Sequence, residues 1–580
     1  MKTSRPIVGF LFAFLFLSQS TALGRAETDG VGVDAGAPPE LSLVLKPHMT
    51  AGAVDFIHVT TTIGSPNLKT DDNLLRMALV IVAIPTPRYD GDAIQARDNS
   101  GALPLTLKDE QPTPSGQYRQ WLVRRATSGD VVVQYDAPMR AVSSSTRPGP
   151  LFDLRAESGG LNGAGLAFLA LPNTETEYRI RVSWDLSGMP AGSRGACSYG
   201  EGNVSITDKV NALADAYYAA GPLRSYPNDP SSNYAMYWLG EPSFDARLVA
   251  ENIYKFHAYV ANFFHDKGAS YRVFVRKNPY HGGGGTTLTR SFMFGYSDEK
   301  VPDPAELQGL VAHEIVHNWP AMQGEHGATA WYSEGTAEYY SILLSYRAGI
   351  YDLQKFQKEI NQRASAYYTN PFLSLTNQQA AEKFWSDSRA QRVPYGRGFM
   401  YLSRIDAEVR AKSHGKRSLD DLVLALLDRE RNKEKYGVDE WLELVTKGLG
   451  PDAGTEFDAM TRGEMQVPAV NSFAPCLRAE KSEEKLLDYG FDAKVLEGSN
   501  KVVRGLEPDS AAAKAGLQNG DVIVESSRLA DSQDDSTVPI RLKIRRGGED
   551  MNVSYIPRGN AVPAYKWTRV PGASETACKL

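Results

Sequence analysis

Two histidines four residues apart, in the run His313-Glu314-Ile315-Val316-His317, constrain this chain more than any other feature. At helical spacing both imidazoles leave one face a turn apart, so both can reach a single metal ion. Glu314 between them points to the rim of that face, where its carboxylate can take a proton from water instead of binding the metal. Such a pair works only on a rigid helix. Asp303 reads as an N-cap, Pro304 as the first helical residue and Glu306 as the acid that closes a capping box. Leu307, Leu310 and Val311 add an apolar stripe, and Pro320 stops the helix just past Trp319.

A carboxylate from a second helix would complete a His/His/Glu set and leave the fourth tetrahedral position open for water. That is the layout of a zinc hydrolase, with one Zn2+ per chain. Glu325, Glu334 and Glu338 are the acidic candidates. Trp331 opens a helical stretch that runs to Gly349 and carries Glu334 and Glu338 on one face, so periodicity does not separate them. Gly335 lets backbones approach closely beside Glu334 and favours it. Glu325 and His326, in Gln-Gly-Glu-His-Gly, read as loop.

The histidine pair, the tryptophan after it and the segment Trp331-Tyr332-Ser333-Glu334-Gly335 resemble the gluzincin metallopeptidases, and among them the glycyl-aminopeptidase family. The resemblance implies a multidomain α+β chain: an N-terminal all-β domain, a thermolysin-like, mainly helical catalytic domain and a C-terminal PDZ domain. It also implies Glu334 as the third zinc ligand. Pro394-Tyr395-Gly396-Arg397-Gly398 is similar to a Tyr-x-Lys-Gly element of related aminopeptidases, which gives Tyr395 the role of oxyanion donor, with Arg397 as a nearby substrate contact. Related aminopeptidases place a glycine-rich strand ending in an acid before the histidine motif. Here Gly283, Gly284 and Gly285 stand at the corresponding distance as candidate substrate-binding backbone, without the acid that would meet a free amine. The implied activity is that of an aminopeptidase-like zinc metallopeptidase acting on a peptide or protein. An endopeptidase of the same fold, or a non-catalytic exported binding protein with a relic zinc site, are the alternatives.

With 580 residues the chain exceeds a single hydrophobic core. A net charge of −6 gives no reason to expect a nucleic-acid partner or an anionic membrane surface. Met1 to Arg5 is basic, Ile7 to Leu17 apolar and Ser18 to Ala26 small and polar, which reads as a signal peptide over residues 1–26. The mature chain is then secreted or periplasmic, with no membrane span. Residues 40–205 alternate in short runs and predict a β-sandwich-like domain. Residues 206–470 predict the catalytic domain, with a helix from Phe244 to His265 and a strand from Tyr271 to Arg276. Within 480–560, Ala511-Ala512-Ala513-Lys514-Ala515-Gly516-Leu517 and the Gly520-Asp521 step resemble protease-type PDZ domains, with Tyr489-Gly490-Phe491 at the carboxylate-binding loop. Glu525 to Pro539 has little apolar periodicity, so the groove helix is shortened or missing. That domain either binds a peptide by strand addition or serves structurally. Cys476 and Cys578 bracket it and form a candidate clamp, leaving Cys197 over.

Overall fold

The computed structural model describes residues 11–12, 38–573 and 578, apart from 82–83, 113–115, 145, 147–148, 267, 269, 281–283, 299–303, 385 and 499. The signal-peptide reading and the Asp303 cap therefore fall outside the described residues, save for a two-residue strand at Leu11–Phe12. The chain divides into two compact units. One comprises Gly9–Lys255 and Asp266–Leu310, and the other Phe256–His265 and Val311–Leu580.

The first unit is built from sheets. Its largest has seven strands, in the order Val204–Lys209, Glu177–Trp184, Glu40–Thr50, Ala53–Ile63, Val131–Pro138, Gln95–Asp98 and Gly101–Ala102. Alternation sets the faces: Leu41, Leu43 and Leu45 are fully buried, as are Ile57, Val59 and Ile63 across the ladder. Ala51 and Gly52, both at positive φ, make the tight turn between these two strands. Four-stranded and five-stranded sheets accompany it.

Strands continue well past residue 206, where the sequence pattern suggests a change to helix. Tyr217–Gly221 and Tyr234–Trp238 are strands buried at every position, so they show no alternation to read. The second of these lies in a sheet with Tyr271–Lys277, Ser291–Tyr296 and Gly284–Leu288.

The second unit begins as a helical lobe, with long helices His326–Arg347, Leu353–Tyr368, Val393–Lys412 and Leu419–Arg431. Ser418 and Asp421 form a reciprocal capping box at the start of the last of these. After residue 476 the chain turns to strands. Leu477–Leu487 pairs antiparallel with Arg558–Arg569, enclosing a meander of Val522–Ser526, Ile540–Arg546 and Glu549–Tyr555. Ile540, Leu542 and Ile544 alternate into its core with Tyr489, Phe491, Leu517 and Val553. A six-residue helix, Leu529–Asp534, occupies the stretch that lacked periodicity. Cys476 and Cys578 are joined in a disulfide, and Cys197 is free and buried. Among the described residues no helix is long and apolar enough to cross a membrane.

Candidate metal centre

The helix Pro304–Val316 starts at the expected proline and carries His313 and Glu314, while His317 sits in the turn that closes it. Asn318 ties that turn down, its Nδ2 donating to the Ile315 carbonyl at 2.9 Å. Trp319 stacks on Phe264 with ring centroids 5.3 Å apart. Val311, Ile315 and Val316 are fully buried, so the histidine face is held by packing.

The second helix begins at His326, five residues before the expected Trp331. Its N-cap Glu325 has extended backbone and no side-chain cap bond, which is why no local signal marks the start. His326, read from sequence as loop, is the first helical residue and packs edge-on against Phe384 at 4.6 Å. This helix crosses Val393–Lys412 backbone to backbone. A Cβ on Gly335 would lie 2.5 Å from the Gly398 Cα, so both glycines are required by the crossing.

Three side chains converge where these helices meet. His313 Nε2 and His317 Nε2 are 3.0 Å apart, and Glu334 Oε2 lies 3.4 Å from the first and 3.5 Å from the second. A tetrahedral ion with bonds of about 2 Å has ligand–ligand edges of about 3.3 Å. The side chains are 0, 3 and 4 % exposed. Glu334 Oε2 is buried with no hydrogen bond. Two imidazole nitrogens and a carboxylate oxygen facing one another are reconciled by a shared cation, and this donor set suits Zn2+. Among the described residues it is the one cluster of at least three His, Cys, Asp or Glu whose ligand atoms converge in this way.

Geometry separates the two glutamates that periodicity does not. Glu334 meets the converging nitrogens, whereas Glu338 Oε1 lies 3.5 Å from the opposite nitrogen of His313, Nδ1. Ser333 Oγ stands 3.5 Å from His317 Nδ1. Glu338 is itself held by Arg363, whose Nε donates at 2.5 Å and whose Nη1 reaches Glu359 at 2.9 Å. Arg363 is a site residue that sequence reading missed. Its i,i+4 pairing with Glu359 is visible in the sequence, but its reach to Glu338 on another helix is not.

Burial alone would lower the His313 pKa, yet Glu334 and Glu338 outweigh it and raise it to about 9. Burial would raise that of Glu334, but His317 and His313 prevail and lower it to about 2. Without a metal the cluster thus binds a proton that an incoming cation must displace.

Tyr395 is the third residue of Val393–Lys412, and its ring stacks with His313 at 5.8 Å and 16°. Burial, then the charge of Glu334, pushes its phenol well above the ordinary range, so it stays protonated. Glu314 is fully buried. The Arg397 guanidinium is buried and donates to Asn377 Oδ1 at 2.6 Å and to the carbonyls of Leu373 and Leu375 at 2.8 and 2.5 Å. These bonds brace that loop. Gly284 and Gly285 lie in the strand Gly284–Leu288 of the β unit, and Gly283 lies outside the described residues. Gly285 pairs with Phe294, and a Cβ there would run into the Phe292 ring, so packing alone requires this glycine.

No protein-family model matches the chain, and no curated protein does. Solved structures do match. An aminopeptidase N family protein from Idiomarina loihiensis superposes with a TM-score of 0.61 at 14 % identity, covering 91 % of this chain and 98 % of that one. An M1 zinc metallopeptidase from Deinococcus radiodurans gives 0.46 at 16 % identity, over 74 % of this chain and 94 % of that one. Yeast LTA4 hydrolase gives 0.45 at 13 %, over 73 % and 67 %. The first of these likenesses establishes the fold alone: a multidomain α+β chain with a β-rich N-terminal part and a helical part after it.

Proposed function

We propose that this chain is an exported zinc metallopeptidase that hydrolyses peptide bonds from a free amino end, one zinc per chain. The observation that carries the reading is the convergence of His313, His317 and Glu334 at tetrahedral-edge distances, with Glu314 buried on the same helix. Zn2+ held by those three would supply a Lewis acid that polarises the scissile carbonyl and acidifies water. Glu314 takes the proton of the attacking water on its carboxylate and passes it to the leaving amine. The protonated Tyr395 phenol donates to the oxygen that gains negative charge. Glu338, held by Arg363, keeps the His313 ring turned so that Nε2 faces Glu334.

The aminopeptidase direction is supported by the name of the Idiomarina protein, and membership of the glycyl-aminopeptidase family by the motif resemblance. Export is supported by the Cys476–Cys578 disulfide, a bond that persists in oxidising compartments. Residues 480–560 we read as a PDZ-like domain in a structural role. The Gly490 N–H, in the loop where a peptide carboxylate would dock, donates to Asp488 at 2.8 Å, and the short helix Leu529–Asp534 packs on Leu353–Tyr368.

Free-amino and N-blocked peptide libraries test the reading. Turnover of free-amino peptides is expected, and cleavage of blocked ones at equal rates would make the protein an endopeptidase. Glu314→Gln should retain zinc and lose at least about a thousandfold in kcat. Unchanged turnover would remove Glu314 as the base.

A further inference from the structure

The segment just ahead of Tyr395 is held from the C-terminal part of the chain. Arg392 is the N-cap residue of Val393–Lys412, and its Nη2 donates to Asp534 Oδ2 at 2.7 Å. One turn earlier, Ser388 is gripped twice. Its N–H donates to both oxygens of Glu497, at 3.0 and 3.1 Å, and its hydroxyl accepts from Gln533 Nε2 at 2.7 Å. Gln533 also donates to Tyr489 OH at 3.0 Å, so the short helix Leu529–Asp534, the Tyr489 loop and Glu497 act on one stretch of chain.

Arg392 in turn faces the site. Its guanidinium carbon lies 5.9 Å from the centroid of the Tyr395 ring, which stacks with His313. Arg363, which holds Glu338 behind His313, also acts on Asp534 through its charge. One carboxylate from the C-terminal module thus pairs with Arg392 and adds its charge to the surroundings of Arg363, the two arginines that flank the metal cluster. The Asp534–Arg392 pair is 13 and 14 % exposed, so removing one partner leaves the other charged and largely dry.

We propose that Asp534 is a positioning residue for the reaction: by fixing Arg392 against Tyr395, the C-terminal module sets where the phenol stands relative to the metal ligands. This rests on the peptidase reading above. The module does not depend on Asp534 for its attachment. The Trp567 backbone N–H donates to Asn361 Oδ1 at 2.7 Å and its carbonyl accepts from Asn361 Nδ2 at 2.9 Å, its indole donates to Ser472, and the Cys476–Cys578 disulfide closes the far end.

The test uses the full chain and the aminoacyl-p-nitroanilide that the wild type turns over fastest. Asp534→Asn should lower kcat about tenfold with KM within about twofold, and Asp534→Glu should recover most of the loss. In a Tyr395→Phe background Asp534→Asn should add less than about twofold, because its effect passes through the phenol. Hydrogen exchange should rise in residues 388–396 of Asp534→Asn and stay unchanged in 357–361. Multiplicative effects in the double variant, an unchanged kcat, or unchanged exchange in 388–396 would each overturn the inference. If the wild type shows no turnover, the peptidase reading fails, and the exchange result alone then decides whether Asp534 orders this segment.

Discussion

Two clusters of buried charge, one in each compact unit, solve the same electrostatic problem differently. In the β unit, Asp153 is surrounded by Arg140, Arg155 and Arg276, which donate to its carboxylate at 3.1, 2.7 and 2.8 Å. All three nitrogens of Arg276 are used, the remainder on Asn162 and the Asp153 carbonyl. That cluster is completed by protein atoms alone. In the helical unit, Glu334 Oε2 makes no hydrogen bond, and two imidazole nitrogens face each other at 3.0 Å. It is completed only by a proton or a cation. Burial without closure distinguishes a site from a structural ion cluster.

The largest expected effect that would break this comparison lies in the ligand set. Glu334→Ala should weaken zinc binding by at least about a thousandfold, beyond the 10- to 100-fold that outer partners command. Competition with a calibrated chelator measures it. Asp153→Ala, in contrast, should leave zinc affinity untouched and cost about 3–5 kcal/mol of stability, because three arginines lose their carboxylate. Denaturant unfolding of both variants shows whether the two effects separate. Glu338→Gln should fall between them, with zinc affinity down about 10- to 100-fold and little loss of fold.

The smallest effect is in pH. The His313 pKa is raised from an ordinary value near 6.5 to about 9, so its contribution to the metal-free protein is fully present below about pH 6.5 and is lost as pH rises through about 9. Chelated protein should lose thermal stability across that window. Zinc-loaded protein should not, and parallel Tm curves for the two would contradict the assignment of His313 as a ligand.

Much of the metal cluster was legible because its geometry is local. His313, Glu314 and His317 lie within five residues, bounded by Pro304 and Pro320, and Gly335 marks the crossing that brings Glu334 in. What escaped was long-range or unpunctuated. The second ligand helix starts at a residue with no capping bond, so His326 read as loop. Strands such as Tyr217–Gly221 are buried on both faces and lose the alternation that announces a strand. Arg397 matched a motif that says nothing of the loop it braces. Asp534 and Arg392 are 142 residues apart, and nothing in either neighbourhood signals the pair.

Metal analysis of the freshly purified full chain, beside Glu334→Ala and Glu338→Ala, tests the central claim most directly. The wild type should carry one zinc per chain, Glu334→Ala close to none, and Glu338→Ala an intermediate amount. Zinc near zero in the wild type, or a greater loss from Glu338→Ala than from Glu334→Ala, would contradict it.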